Sequence, residues 1–307
     1  MPQSWAAVMC LVRRVLESDF SRDCPVNAFE IAKQERVVLT FVTMTSAAYF
    51  SRFHVLYTSL RRWHATERIL LWTYGEIPHS WIPSDVETHP LPVYDGALAR
   101  ERPNILLDSF RLGADRLAFL GADMEVFAPL EEADRLLDRY DAVSVPCVIR
   151  PIPDDGCFPN TQAYCRIGNL NTDFILLRNT AETQCILRWW KAAVEGHCRD
   201  DPASGLCYEH AWFGLWPYLM DGFHIWRTMT HNVCYWNAHL YNLRRANGRW
   251  ETDGGPLVLF HYSGFEEASP NRLSRYQTRY TVETGDYFVF CREYAERLRS
   301  ARAALEG

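Results

Sequence analysis

None of the 10 cysteines forms a Cys-x-x-Cys pair, so neither a zinc site nor a compact disulfide framework is spelled out. In a chain of 307 residues, scattered thiols fit a reducing compartment, the cytoplasm. A disulfide among Cys147, Cys157 and Cys165 is the alternative their proximity raises. No stretch approaches the ~20 uninterrupted apolar residues that cross a bilayer. At the amino terminus Arg13 and Arg14 follow a short apolar run, the reverse of a secretory signal. Residues 5–17 could still pack as a short helix or touch a membrane surface peripherally. Positive charge is also in deficit: 32 Lys and Arg stand against 38 Asp and Glu, for a net charge of -6. A nucleic-acid binder would carry a basic face, so that class is set aside. There is no internal repeat, no low-complexity tract and no Ser/Gly linker. No Gly-rich phosphate loop follows the first strand, which counts against nucleotidyl transfer.

What the chain does have is core-building material. Hydrophobic residues make up 48% and charged residues 23%, the balance of a packed globular domain. Aromatics reach 14%, with 11 Trp. Such rings suit sugar stacking, but large cores use them too. Residues 1–35 read as an extension, helical and then irregular around Cys24-Pro25. Arg36 to Val42 is β-branched and continuous, as in a central strand, and Thr43 to Ser46 reads as a polar turn. Tyr49 to Trp63 has helical apolar spacing and Ile69 to Thr73 is a second strand. Strand, helix, strand makes a parallel unit with a right-handed crossover. Its first strand ends in the ligand crevice.

Further along, Ile77 to Pro92 reads as loop with one short strand, and Arg100 to Leu112 as a helix. Leu130 to Tyr140 reads as a helix and Ala142 to Val148 as a strand. Pro151 to Gly168 reads as a long loop, of a length that is usually functional. Phe174 to Leu177 is a strand and Ala181 to His197 a helix, whose Trp189 and Trp190 are read as core. Glu209 and His210 open another helix. Val233 to Leu240 and Leu257 to Phe260 are strands, and residues 281–307 close the chain as a charged helix. Residues 36–280 read as one α/β domain.

The chemistry concentrates in Arg116 to Leu130. The apolar run Leu117–Leu120 ends on Gly121, Ala122 and Asp123, which sets a carboxylate just past the carboxyl end of a buried strand. Glu125 follows two residues later. Two carboxylates there can hold a divalent cation, and the cation can hold phosphates. The plainer alternative is that Asp123 caps a turn and Glu125 is solvated.

Six segments, in order, resemble those of bacterial glycosyltransferases of the GT-A fold, the glycogenin-like and lipopolysaccharide-sugar-transferase type. Gly-Ala-Asp-Met-Glu-Val-Phe-Ala-Pro-Leu (121–130) looks like the family's metal motif, Leu-Asp-x-Asp-x-x-Val-x-x-Pro-Leu. Asn169 to Arg178 resembles Asn-x-Gly-Phe-x-x-Leu-Arg, and Leu187-Arg-Trp-Trp190 a Leu-x-Trp-Trp helix. The segment from Asp200 to Trp212 is similar to one ending Asp-Gln-x-Trp. Tyr235-Trp-Asn-Ala-His239 and His261-Tyr-Ser-Gly-Phe265 resemble Trp-Asn-x-His and His-Phe-Ser-Gly-Phe. The likeness covers about 36–280.

The resemblance implies a mostly parallel sheet flanked by helices. It also implies transfer of a sugar from a nucleotide-diphosphate sugar, a UDP-sugar first of all, to a hydroxyl of a glycan, a lipid-linked saccharide or a protein, as in polysaccharide biosynthesis. By position, Asp123 and His261 would bind Mn2+ or Mg2+, with Glu125 as a further candidate ligand. Carboxylate and imidazole together suit manganese, and the cation would offset charge on the leaving diphosphate. Thr43, Thr45 and Tyr49 would meet base and ribose, with Ala122 beside them, and Arg100 or Arg102 the donor phosphate. Asn169, Asn171, Asp173 and His210 would face the donor sugar. The Ser263-Gly264 turn would present amides to a phosphate. Glu209 would stand near the reacting carbon and orient or deprotonate the acceptor, with Asp173 as a second catalytic carboxylate.

Three departures stand out: Gly121 replaces the first Asp of the metal motif, Asp173 replaces a Gly, and Glu209-His210 replaces Asp-Gln. They keep open a second class of function, an inactive GT-A domain that binds nucleotide sugar or glycan or serves in an assembly.

Overall fold

The β-branched and aromatic runs of the sequence pair into one central sheet in the computed structural model, which describes residues 38–92, 98–280 and 284–306. The expected extension (1–35) and the start of the first expected strand lie outside the described residues. Strands β1 (Thr40–Ser46), β2 (Ile69–Tyr74), β3 (Val86–Pro90) and β4 (Arg116–Leu120) are joined through helices α1 (Phe50–Trp63) and α2 (Arg102–Arg111). A short strand β5 (Met124–Val126) and helix α3 (Glu131–Leu136) precede β6 (Ala142–Pro146). Helix α4 (Thr161–Ile167), strand β7 (Leu170–Arg178), helix α5 (Ala181–Val194) and the one-turn helix α6 (His210–Phe213) follow. Strands β8 (Phe223–Ile225), β9 (Val233–Cys234) and β10 (Leu259–His261) and helix α7 (Asp286–Glu306) end the chain.

The seven-stranded sheet has the order β8-β6-β7-β4-β1-β2-β3. All its pairings are parallel except those of β7, which runs antiparallel to both β4 and β6. Both faces are covered, as a mostly parallel sheet requires. One face sets Phe41, Leu71, Leu120 and Phe174 against Phe50, Phe53 and Leu56 of α1. The other sets Val42, Leu70, Phe119 and Ile175 against Ile105 and Phe110 of α2 and Ile186 and Trp190 of α5. Trp190 is fully buried there, in the core role expected of it. A second sheet, β9-β10-β5, flanks the first, and α7 packs on it through a stack of Tyr294 on Tyr262 with ring centroids 3.4 Å apart.

Four elements differ from expectation. Thr43–Ser46 continues β1 rather than turning, because the ladder to β2 runs on through Thr45↔Thr73 and Ser46↔Tyr74. Its polarity marks a strand end entering a cleft. Residues 151–168 are not all loop: Asn160 accepts a hydrogen bond from Ala163 N at 3.1 Å and caps α4, which stops at Gly168 in a positive-φ conformation. The strand expected over 233–240 ends at Cys234. There the Asn237 side chain accepts from Cys234 N at 2.9 Å and donates to Cys147 O at 2.7 Å, replacing a ladder with a side-chain tie. Finally, α3 covers six residues where a helix over Leu130–Tyr140 was expected. The eight described cysteines are unpaired, Cys147, Cys157 and Cys165 among them. No described helix is long and apolar enough to cross a membrane.

Candidate active site

The carboxyl ends of β1 and β4 open into a cleft of about 250 Å³ lined by Met44, Thr45, Ser46, Tyr49, Leu98, Phe119, Gly121, Ala122, Asp123 and Asp173. Its floor is set by a tight turn in which Met124 N donates to Gly121 O at 3.1 Å, directing Asp123 out of the sheet. Strand β10 then pairs antiparallel with β5, placing His261 opposite Met124, and Tyr262 N donates to Asp123 O at 2.9 Å. Two residues far apart in sequence therefore meet: His261 Nε2 lies 3.1 Å from Asp123 Oδ1 and 3.8 Å from Asp173 Oδ2. Trp236 meets the imidazole in a T-shaped contact at 5.4 Å between ring centroids. Burial pulls the His261 pKa down, but the Asp123 carboxylate, with Asp173 adding to it, outweighs burial and holds it above the ordinary value.

Behind this pair lies a buried ion cluster. The Arg102 guanidinium bridges Asp173 Oδ1 and Glu209 Oε1. Thr172 Oγ1 donates to the same Glu209 oxygen at 2.8 Å, while Glu209 Oε2 is buried with no hydrogen-bond partner. Burial alone would raise the Asp173 pKa, but Arg102, then His261 and His210, hold it below the usual carboxylate range. Arg102 is thus one fixed cation among three acids. With His261 neutral, the linked cluster of Asp123, Asp173, Glu209 and Arg102 carries two net negative charges.

That charge and donor set fit a divalent cation on the Asp123–His261 edge. Ligand bonds of ~2.1 Å at right angles put neighbouring donor atoms ~3.0 Å apart, close to the 3.1 Å seen here. Among the described residues no three His, Cys, Asp or Glu side chains form a ready-made metal cage. The remaining ligands of such an ion would come from phosphate and water, the usual habit of Mg2+-type sites.

Several expected site residues stand elsewhere. Glu125 does not join Asp123 and His261. Its carboxylate accepts from Tyr262 Oη at 3.0 Å and pairs with Arg297 Nε at 2.8 Å. It lines a separate cavity of about 350 Å³ between α1 and α7, with His54, Arg62 and Glu293. Burial there pushes its pKa up despite Arg297. Arg102 is committed to two carboxylates and not open to a phosphate. The Asn169 amide clamps the Val148 backbone, accepting from N and donating to O, both at 2.9 Å. Asn171 is buried, bonded to Asn232, and accepts from Asp173 N at 3.0 Å, so it props the acid instead of facing a sugar. Thr43 is buried with its hydroxyl unpartnered.

The residue at 264 has a left-handed φ of +69°, and a Cβ there would come within 2.6 Å of Ser274 Oγ and closer still to the Tyr276 ring. Glycine is needed at that position by its neighbours, whatever binds nearby. Ser263 beside it is half-buried. His210 opens α6 with its Nδ1 buried and unpartnered, close enough for its charge to act on Asp173. Thr45, Tyr49 and Ala122 line the cleft. Sequence reading missed Ser46, Leu98 and Thr172. The extended register of β1 is the signal that would have found the first of them.

No family model matches the chain. Among curated proteins it is 28% identical over 104 residues to the uncharacterized protein YfnD of Bacillus subtilis (strain 168), and 28% identical over 125 residues to the uncharacterized protein YfnF of the same organism. These matches span 33% and 40% of the relatives' own lengths, and the same shares of this chain. Among solved structures, the glycosyltransferase GlyE of Streptococcus pneumoniae TIGR4 aligns at a TM-score of 0.52 and 13% identity, over 88% of this chain and 64% of that one. An LgtC structure aligns at 0.50 and 15% identity, over 86% of this chain and 95% of that one. The bifunctional glycosyltransferase WbbM aligns at 0.50 and 11% identity, over 90% and 52%. Identities this low speak to architecture, and together with the sheet described above they establish that this chain has the fold of bacterial GT-A glycosyltransferases.

Proposed function

We propose that the protein is a glycosyltransferase that moves a sugar from a nucleotide-diphosphate donor, a UDP-sugar first of all, to an acceptor hydroxyl on a glycan, a lipid-linked saccharide or a protein. The observation that carries this reading is the 3.1 Å contact of Asp123, a cleft residue, with His261, backed by a cluster in which three acids face one arginine. Asp123 Oδ1 and His261 Nε2 would hold Mn2+ or Mg2+. When bound, the cation supplies Lewis-acid stabilisation of the departing diphosphate. Thr45, Ser46 and Tyr49 would face the nucleoside end at the close of β1. Arg102 and Thr172 fix one oxygen of Glu209 and leave Oε2 free. Glu209 is itself 1% exposed and off the cleft lining, so its part would be to hold Arg102 and, through it, Asp173 in place.

The test is incubation of the protein with a panel of nucleotide sugars and Mn2+, reading free nucleoside diphosphate. Release that is abolished by chelator and by Asp123→Ala supports the reading, and a mass gain on added acceptor extract separates transfer from hydrolysis. One observation favours a second reading, an inactive domain of this fold that binds nucleotide sugar or glycan: Gly121 stands where the resembled metal motif carries its first Asp. Calorimetric binding of nucleotide sugar without turnover in any extract would select it.

A further inference from the structure

Gly121 is not a glycine for conformational reasons. Its φ lies outside the left-handed range, so any residue could adopt that backbone. Its missing side chain matters for space. A Cβ on residue 121 would lie 3.1 Å from the Cβ of Asp173 and 3.2 Å from Asp123 Oδ1. The two residues face each other across the antiparallel β4–β7 pair: Leu120 is in register with Phe174, and Gly121 N donates to Asp173 O at 2.9 Å. Directly opposed positions on neighbouring strands share one side-chain volume. Here that volume is filled from β7.

The Asp173 carboxylate is also held in a defined direction. Asn171 accepts from its backbone N at 3.0 Å, and Arg102 takes Oδ1. Oδ2 is left facing His261 Nε2 at 3.8 Å. One oxygen is tied inward and the other looks at the Asp123–His261 edge.

We propose that Asp173 supplies the second negative charge of the cation site, reaching it from the neighbouring strand through the space left empty at Gly121. Position 121 and position 173 are then a matched pair, in which a carboxylate on one crowds a side chain on the other. The proposal rests on the transferase reading for the identity of the cation and deepens it by naming which acid serves beside Asp123.

The test measures Mn2+ affinity by the electron paramagnetic resonance signal of the free aquo ion, in the presence of saturating uridine diphosphate. Four proteins are compared: wild type, Asp173→Asn, Asp173→Gly, and the exchange Gly121→Asp/Asp173→Gly. Removing a charge about 4 Å from the ion should weaken Mn2+ binding by about tenfold or more in both single variants. The exchange, which returns a carboxylate to the same volume from β4, should recover affinity to within about threefold of wild type. Thermal unfolding confirms that each variant is folded, and Asp173→Asn, nearly isosteric, carries the test should Asp173→Gly fail to fold. Single variants that bind Mn2+ like the wild type overturn this proposal and leave the transferase reading standing. So does a folded exchange variant no better than Asp173→Gly. A wild type that binds no Mn2+ overturns both.

Discussion

Arg102 is buried between two carboxylates, and its loss should be costly. It is 6% exposed and bridges Asp173 and Glu209, of which Glu209 is 1% exposed. Arg102→Met keeps most of the volume and removes the charge, leaving two neighbouring carboxylates without their cation. Breaking a buried ion pair from one side costs about 3–5 kcal/mol, because the remaining charge stays buried and unpaired. At a urea m-value of ~3 kcal/mol/M the midpoint should fall by about 1 M or more. Removing the whole cluster is a different matter. Replacing every partner with neutral groups of like shape is often close to neutral, so Arg102→Met/Asp173→Asn/Glu209→Gln should regain most of the lost midpoint while remaining inactive. The assay is urea unfolding followed by tryptophan fluorescence and far-UV circular dichroism in parallel, with coincident curves as the check on a single transition. A drop below about 0.3 M for Arg102→Met, or a triple variant weaker than the single one, would refute the picture of Arg102 as the counter-ion of two buried acids.

Other outcomes follow from single features. Gly264→Ala should cost about 1–3 kcal/mol from its +69° φ and its clash with Tyr276 and Ser274, and Tyr276→Ala in the same chain should return only part of the steric cost, because Ser274 Oγ stays, read by thermal unfolding. Glu125→Gln should leave Mn2+ affinity unchanged, since Glu125 is bound to Tyr262 and Arg297 away from the cleft, while lowering stability by about 1–3 kcal/mol. His231 is buried and its pKa is lowered by burial from 6.5 to about 3. Below pH 6.5 the unfolded chain takes up a proton that the folded chain refuses, so this contribution to stability is complete above pH 6.5 and falls by about 1.4 kcal/mol per pH unit beneath it. His231→Asn should flatten the slope of the urea midpoint between pH 5 and 6.5.

Much of the layout was legible in the sequence because it is local. The runs Ile69–Thr73 and Leu117–Leu120 announce buried strands by composition, and Gly121 announces where one stops. The meeting of Asp123 and His261 was legible only through the order of motifs, since the β5–β10 pairing that joins them is a tertiary event. What failed did so for physical reasons. Glu125 looked equivalent to Asp123 because both are acids two residues apart. The turn at Gly121–Met124 breaks the strand between them and sends the second acid to Arg297 of α7. The Arg102 side chain looked available to phosphate because nothing near it in sequence reveals two carboxylates on β7 and before α6. Asn169 and Asn171 were assigned to sugar by analogy, whereas the Val148 backbone takes the Asn169 amide, and the Asn232 side chain and Asp173 N take that of Asn171. The exchange between Gly121 and Asp173 was visible as two separate departures. Only their opposition across β4 and β7 makes them one feature.

In the proposed reaction Asp123 and His261 hold one cation against the donor's diphosphate. The most direct measurement is anomalous scattering from a crystal soaked with Mn2+ and uridine diphosphate. The account predicts a manganese peak within bonding distance of Asp123 Oδ1 and His261 Nε2, with diphosphate oxygens on the same ion and Glu125 still paired with Arg297. A manganese peak in the Glu125 cavity, or diphosphate seated in the cleft with no metal between it and His261, would contradict it.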